Sequence, residues 1–90
     1  MSIIRVAAGS RTASVAGAIA GSFREQGVVE VQAIGASAVN QAIKAIVLAK
    51  GYLAEEGKGI LFVPSMLVVE IEGAERTAVR LTVENKDGKL

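Results

Sequence analysis

Two cations in this chain stand among short polar side chains. Arg11 lies between Ser10 and Ser14, and Lys44 follows Asn40 and Gln41. A guanidinium or ammonium group neutralises a phosphate, and hydroxyls and amides add hydrogen bonds to its oxygens. Both groups fall where a helix is expected to begin. There the first N–H groups have no intrahelical partner and the dipole end is positive. Asn40 and Lys44 are four residues apart, so they project from one side of a helix, one turn apart. The chemistry offered is contact with a phosphate or a partner, although a solvated helix face has the same composition. Residues 9–12, Gly-Ser-Arg-Thr, lack the glycine spacing and the terminal Gly-Lys-Ser/Thr of a Walker loop.

Catalytic chemistry is poorly provided for. The chain has no cysteine and no histidine, which removes the commonest nucleophiles, general bases and soft metal ligands. No paired carboxylates sit in an apolar context. No catalytic residue, metal site or cofactor is therefore expected, and the protein is read as a non-enzyme. The absence of cysteine fits a cytoplasmic location. The sequence starts directly on a strand pattern, so no signal peptide is expected. The longest small-residue run, 6–23, is interrupted by Arg11 and is too polar for a membrane span.

Ninety residues are expected to make one domain over residues 1–85, followed by a frayed polar tail at 86–90. A core of this size gains from association, so a homodimer or higher homo-oligomer is expected. Net charge is only +1. The halves differ: residues 1–53 carry five basic against two acidic groups, and residues 54–90 carry five against seven. A basic half and an acidic half can orient an anionic ligand or attract each other between copies.

The longest element runs through IGASAVNQAIKAIVLAKGYL at 34–53. Gly35 permits a sharp turn, Ser37 is the expected N-cap, and Val39, Ile43, Ile46, Val47 and Leu53 make the apolar face. Gly51 ends the regular pattern, with Lys50 in the last turn. Upstream, residues 3–8 read as a strand apolar enough to be central or buried on both faces. A helix over 13–26 follows, capped by Ser10 or Thr12 and stopped by Gly27, with Val15, Ala16, Ile19, Ala20 and Phe23 facing the core. Gly17 and Gly21 in that helix imply close packing against the other helix or the sheet. Residues 28–34 alternate, with Val29, Val31 and Ala33 on one face and Glu30 and Gln32 on a wetter one.

Residues 54–59 form a polar turn. Residues 60–72 are a long β segment in which Pro64 marks an edge, a bulge or a break, giving two pieces or one bent strand. A hairpin turn at 73–76 leads to a strand at 77–84, with Val79, Leu81 and Val83 inward. The order β-α-β-α-β-β gives an α+β fold, a two-layer sandwich with right-handed crossovers.

The stretches SVAGAIAGSFREQG at 14–27, VEVQAIGASAVNQAIKAIVLAKGYL at 29–53 and IEGAERTAVRLTVE at 71–84 resemble the stage V sporulation protein S (SpoVS) family. The resemblance covers nearly the whole chain. It implies an Alba-like fold, a small bacterial cytoplasmic protein, a role in regulating sporulation and cell division, and nucleic-acid binding. Alba-like proteins dimerise and contact nucleic acid through the first strand–helix loop, the start of the second helix, and hairpin arms. Carried onto this chain, these regions are residues 9–12, then Ser37, Asn40, Gln41 and Lys44, and a hairpin tip at 73–76; the expected nucleic-acid contacts are Ser10, Arg11, Ser14, Asn40, Gln41 and Lys44. Two departures stand out. The loop has one arginine in place of a lysine cluster, and the hairpin reads as short and mixed, with Glu72 and Glu75 beside Arg76. The resemblance thus implies DNA or RNA as the partner. The near-neutral charge favours a rival reading, a protein-interaction module of a cell-division or sporulation complex. A third is an anion or nucleotide sensor built on the 9–12 loop.

Overall fold

The computed structural model describes residues 1–87. The chain runs β1 (Ser2–Val6), α1 (Thr12–Gln26), β2 (Val28–Ala33), α2 (Ala36–Ala54), β3 (Ile60–Ile71) and β4 (Ala74–Asn85). The element order and the α+β class are those read from the sequence. The four strands form one sheet in the order β1-β2-β4-β3. β1 and β2 are parallel, while β4 is antiparallel to both β2 and β3. Both crossovers, β1–α1–β2 and β2–α2–β3, run the same way across the sheet. Right-handed connections then put both helices on one face.

Register shows which side chains meet them. Val6 pairs with Ala33, Val31 with Leu81, and Val29 with Val83. All six are buried, together with Ala16, Ile19, Ala20 and Phe23 of α1. Alternation then sends Arg5, Glu30, Gln32, Arg80 and Thr82 to the opposite face, which carries no helix.

Several expectations change. α2 turns its alanines inward: Ala38, Ala42, Ala45 and Ala49 are buried with Ile46 and Leu53, whereas Ile43 and Val47 face outward, Val47 at 62% exposure. Two parallel helices sharing a narrow sheet approach closely, and small side chains permit this where branched ones do not. α2 also continues through Gly51 to Ala54, one turn past the expected stop. Neighbouring hydrogen bonds carry a helix over one glycine at a cost of about 1 kcal/mol. β1 is neither central nor buried on both faces. It is an edge strand, and Ile3 is exposed.

Among the described residues Gly17 and Gly21 lie against nothing: a methyl group built on either meets no neighbouring atom within 4 Å. Close packing within the chain does not account for them. Gly27 behaves as expected, with φ 75° and its N–H donating to Phe23 O at 2.8 Å.

β3 is one continuous strand with Pro64 on the outer edge of the sheet, where no ladder donor is required. The hairpin differs most from expectation. Its turn is only Glu72-Gly73, both with positive φ (51° and 79°), so β4 begins at Ala74. β2 stops pairing with β4 at Ala33↔Val79, but β3 and β4 stay paired from Leu67↔Ala78 to Ile71↔Ala74. Five rungs at about 3.4 Å per residue make a two-stranded arm of roughly 17 Å beyond the body. The hairpin is long, not short, and the molecule measures 43 × 24 × 18 Å.

At the far end, Lys86 N donates to Gly59 O at 3.0 Å, and Asp87 N to Asn85 Oδ1 at 3.0 Å. The remainder of the expected tail, 88–90, lies outside the described residues.

Candidate nucleic-acid interface

β1 and β2 are parallel, so the helices that follow them start at the same end of the sheet. This brings the Arg11 loop and the first turns of α2 to one end of the sheet, with Lys44 the ninth residue of α2. A specific bond fixes the two together. Gln41 Nε2 on α2 donates to the main-chain oxygen of Ser10 at 2.9 Å, and the contact is partly buried. Ser10 in turn closes its own loop. Its N–H donates to Ala7 O at 3.0 Å, and its hydroxyl accepts from Ala7 N at 2.9 Å.

That geometry removes the expected caps. Ser10 Oγ faces back into the loop, Thr12 is already the first helical residue of α1, and the N-cap position is Arg11, which has no side-chain acceptor. α2 begins at Ala36 behind Gly35 (φ 91°), so Ser37 lies inside the first turn and caps nothing. Neither helix has an acidic residue in its first turn. Two helix N-termini therefore stand at one end without side-chain caps, and this leaves N–H groups and positive dipole ends available to an anion.

Arg11, Ser14, Asn40 and Lys44 are exposed around these ends, and Ser10 and Gln41 are half-buried. Among the described residues, the ion pairs are Arg24–Glu56 at 2.7 Å and Lys58–Glu56 at 3.5 Å, so neither Arg11 nor Lys44 is held in one. The six residues thus divide in two. Arg11, Ser14, Asn40 and Lys44 present free polar groups, while Ser10 and Gln41 hold the loop in position.

Residues 2–86 match the family model described as "Stage V sporulation protein S (SpoVS)". The chain belongs to the SpoVS family. Among solved structures it is similar to Alba from Thermoplasma volcanium, with 15% identity over 91% of this chain and 98% of that one, at a TM-score of 0.58. At this identity the likeness concerns the fold, and the fold of this SpoVS chain is Alba-like.

The arm projects from the same end, since β4 runs antiparallel to β2 and its start lies beyond the end of β2. Its chemistry is mixed. Met66 and Val68 on β3 are 73% and 65% exposed. At the tip, Glu70 faces Glu75 directly across the strands, with Glu72 in the turn between them. The Glu70–Glu75 pair was not singled out from the sequence. The signal was present in the unbroken β pattern that runs on to residue 72, which sets the register once the turn is two residues long.

The outward side of α2 carries a second feature missed in the sequence. Ile43, Val47, Leu48 and Tyr52 are all exposed large side chains.

Proposed function

We propose that this SpoVS-family chain is a non-enzymatic nucleic-acid-binding regulator of sporulation or cell division, acting in the cytoplasm as a homodimer. One observation carries the reading. Two helix N-termini without side-chain caps lie at one end of the sheet, with Arg11 exposed at the first and Lys44 exposed about two turns into the second helix. Arg11 and Lys44 neutralise phosphates, Ser14 and Asn40 hydrogen-bond them, and the Gln41–Ser10 bond keeps the loop against α2. Such contacts position the protein on a backbone without reading a sequence. With Phe23, Tyr52 and Phe62 as the only aromatics, base stacking is not the main mode. The exposed apolar side chains of α2, with Met66 and Val68 of β3, support association of two copies.

The test is a salt series of binding to duplex DNA, single-stranded DNA and RNA. With about two phosphate contacts per protomer, the log–log slope of a dimer on a duplex is about −3 to −4. The Arg11→Ala/Lys44→Ala double variant loses most of that slope. Unchanged affinity in the variant rules out this surface.

A second reading is a protein-interaction module. The acidic arm tip of Glu70, Glu72 and Glu75 favours it, because carboxylates beside an anion-binding end repel a phosphate backbone. Affinity capture of one protein partner, unaffected by nuclease and lost on shortening the arm, supports this reading over the first.

A further inference from the structure

At the end of the sheet where the helices start, the ends of β1 and β2 and the base of the arm enclose a groove of about 500 Å³ that takes residues from both faces. This volume suits a small ligand. The groove adjoins the helix-start loop through Ala7 and Ala8, does not include Arg11 or Lys44, and is otherwise lined chiefly by Arg5, Gln32, Ile34, Val69, Ile71 and Ala78. Arg5 pairs in register with Gln32, so their side chains sit next to each other on the face away from the helices. Val69, Ile71 and Ala78 belong to the same face of the arm by alternation. Glu70, which alternates to the other face, also borders the groove.

Two polar side chains in this groove keep hydrogen-bonding capacity to spare. Arg5 is in no ion pair and no side-chain hydrogen bond among the described residues. Gln32 is the one buried polar residue of the described chain, at 7% exposure. Its Nε2 donates to Glu30 Oε2 at 2.6 Å. This fixes the amide and leaves its oxygen accessible, as an acceptor without a protein donor in the described chain. Arg80, the register partner of Gln32 on β4, gives its Nε–H to Ser65 Oγ at 2.9 Å and makes no bond to Gln32 among the described residues.

We infer that this groove binds a small carboxylate that carries an adjacent N–H and an aliphatic side chain, the chemistry of an N-acyl amino acid or a peptide C-terminus. The carboxylate pairs with the Arg5 guanidinium, whose fork matches its two oxygens. The adjacent N–H donates to Gln32 Oε1. The aliphatic group lies against Val69, Ile71 and Ala78.

The test is a ¹H–¹⁵N NMR titration of the whole chain with N-acetyl-leucine. Saturable shifts are expected at the amides of Arg5, Gln32, Val69 and Ile71. Arg5→Gln, an exposed substitution that leaves the core untouched, is expected to weaken binding about tenfold or more, as loss of a charge-assisted hydrogen bond does. N-acetyl-leucinamide, which lacks the charge, is expected to lose as much. 4-Methylpentanoate keeps the charge and lacks the N–H, so it replaces a risky substitution at buried Gln32. Its binding as tightly as N-acetyl-leucine overturns the contact to Gln32. N-acetyl-dialanyl-leucine separates the two sources: tighter binding assigns the groove to a chain terminus, and weaker binding to a free acyl amino acid. The Arg11→Ala/Lys44→Ala variant is expected to bind N-acetyl-leucine unchanged. No saturable shift at about 10 mM, beyond the millimolar range of weak small-ligand sites, overturns the proposal. Equal affinity in Arg5→Gln, or shifts confined to the outer side of α2, does the same.

Discussion

The Gln41 side chain on α2 donates to the Ser10 carbonyl in the β1–α1 loop at 2.9 Å, across 31 positions of sequence. This bond ties the loop that carries Arg11 to the helix that carries Lys44. The loop's own hydrogen bonds to Ala7 hold its shape, and the amide holds its place. Gln41→Leu removes the tether without removing a charge. The expected loss of stability is about 1 kcal/mol, the usual net value of such a bond. Nucleic-acid affinity should fall while the slope of log affinity on log salt stays the same, because the number of phosphates neutralised is unchanged. Urea unfolding and the salt series together check this. A reduced slope in Gln41→Leu assigns the residue a different role.

The two glycines of α1 give a second prediction. An added methyl at Gly17 or Gly21 meets no atom within 4 Å, and neither residue has positive φ. Glycine costs a helix interior about 1 kcal/mol against alanine. Gly17→Ala and Gly21→Ala should therefore each raise stability by up to about that amount in urea titration. A lowered midpoint in either variant, measured at concentrations where the protein is associated, would mean that another copy packs on this ridge.

At the arm tip, two unfavourable features sit within one turn. Glu72 holds φ at 51°, a region that suits asparagine or glycine better than glutamate, and Glu70 faces Glu75 across the strands. Glu72→Asn relieves the first. Glu75→Lys turns the second from repulsion into attraction, an effect of roughly 0.2–1 kcal/mol for a cross-strand pair. Both variants should protect the arm amides further against hydrogen exchange. Glu75→Lys should also strengthen nucleic-acid binding and steepen its salt dependence, since the tip shares an end with Arg11 and Lys44. Weaker binding by Glu75→Lys would favour the protein-interaction reading.

Acid stability should depend on Glu56. Its carboxylate accepts a hydrogen bond from Arg24 Nε at 2.8 Å, which holds its pKa below the ordinary glutamate range, and the same bond raises that of Arg24. Because the folded-state pKa is lowered, the contribution is present above the unfolded-state value and is lost as pH falls through the folded one. The pair is exposed, so the effect is small and weakens with salt. Melting temperature should fall on acidification through the carboxylate range, and Glu56→Gln should flatten part of that fall. An identical pH profile in Glu56→Gln would show that the pair contributes nothing.

Local rules made much of the fold legible. Alternation placed Val29, Val31 and Ala33 on one face of β2, and Leu81 and Val83 on one face of β4; all five are buried. Gly27 announced the end of α1 through its left-handed φ. The sequence also suggested the polar residues of the candidate interface, because cations, hydroxyls and amides near expected helix starts form a local pattern. Their division of labour was not. That Ser10 and Gln41 hold the loop while Arg11 and Lys44 remain free depends on a bond between residues far apart in sequence.

The sequence by itself determined which segments are helices and strands, their order and the inner face of the central strands, because these follow from backbone preference and periodicity over a few residues. Only the tertiary structure decided what depends on neighbours distant in the chain. Ala42 and Ala45 face the core in place of Ile43 and Val47, because two helices on a narrow sheet must approach closely, and close approach selects small side chains over more hydrophobic ones. Strand order made β1 an edge, and the different lengths of β2 and β4 turned a hairpin into an arm. Each of these outcomes is set by pairing between strands, which no single segment encodes.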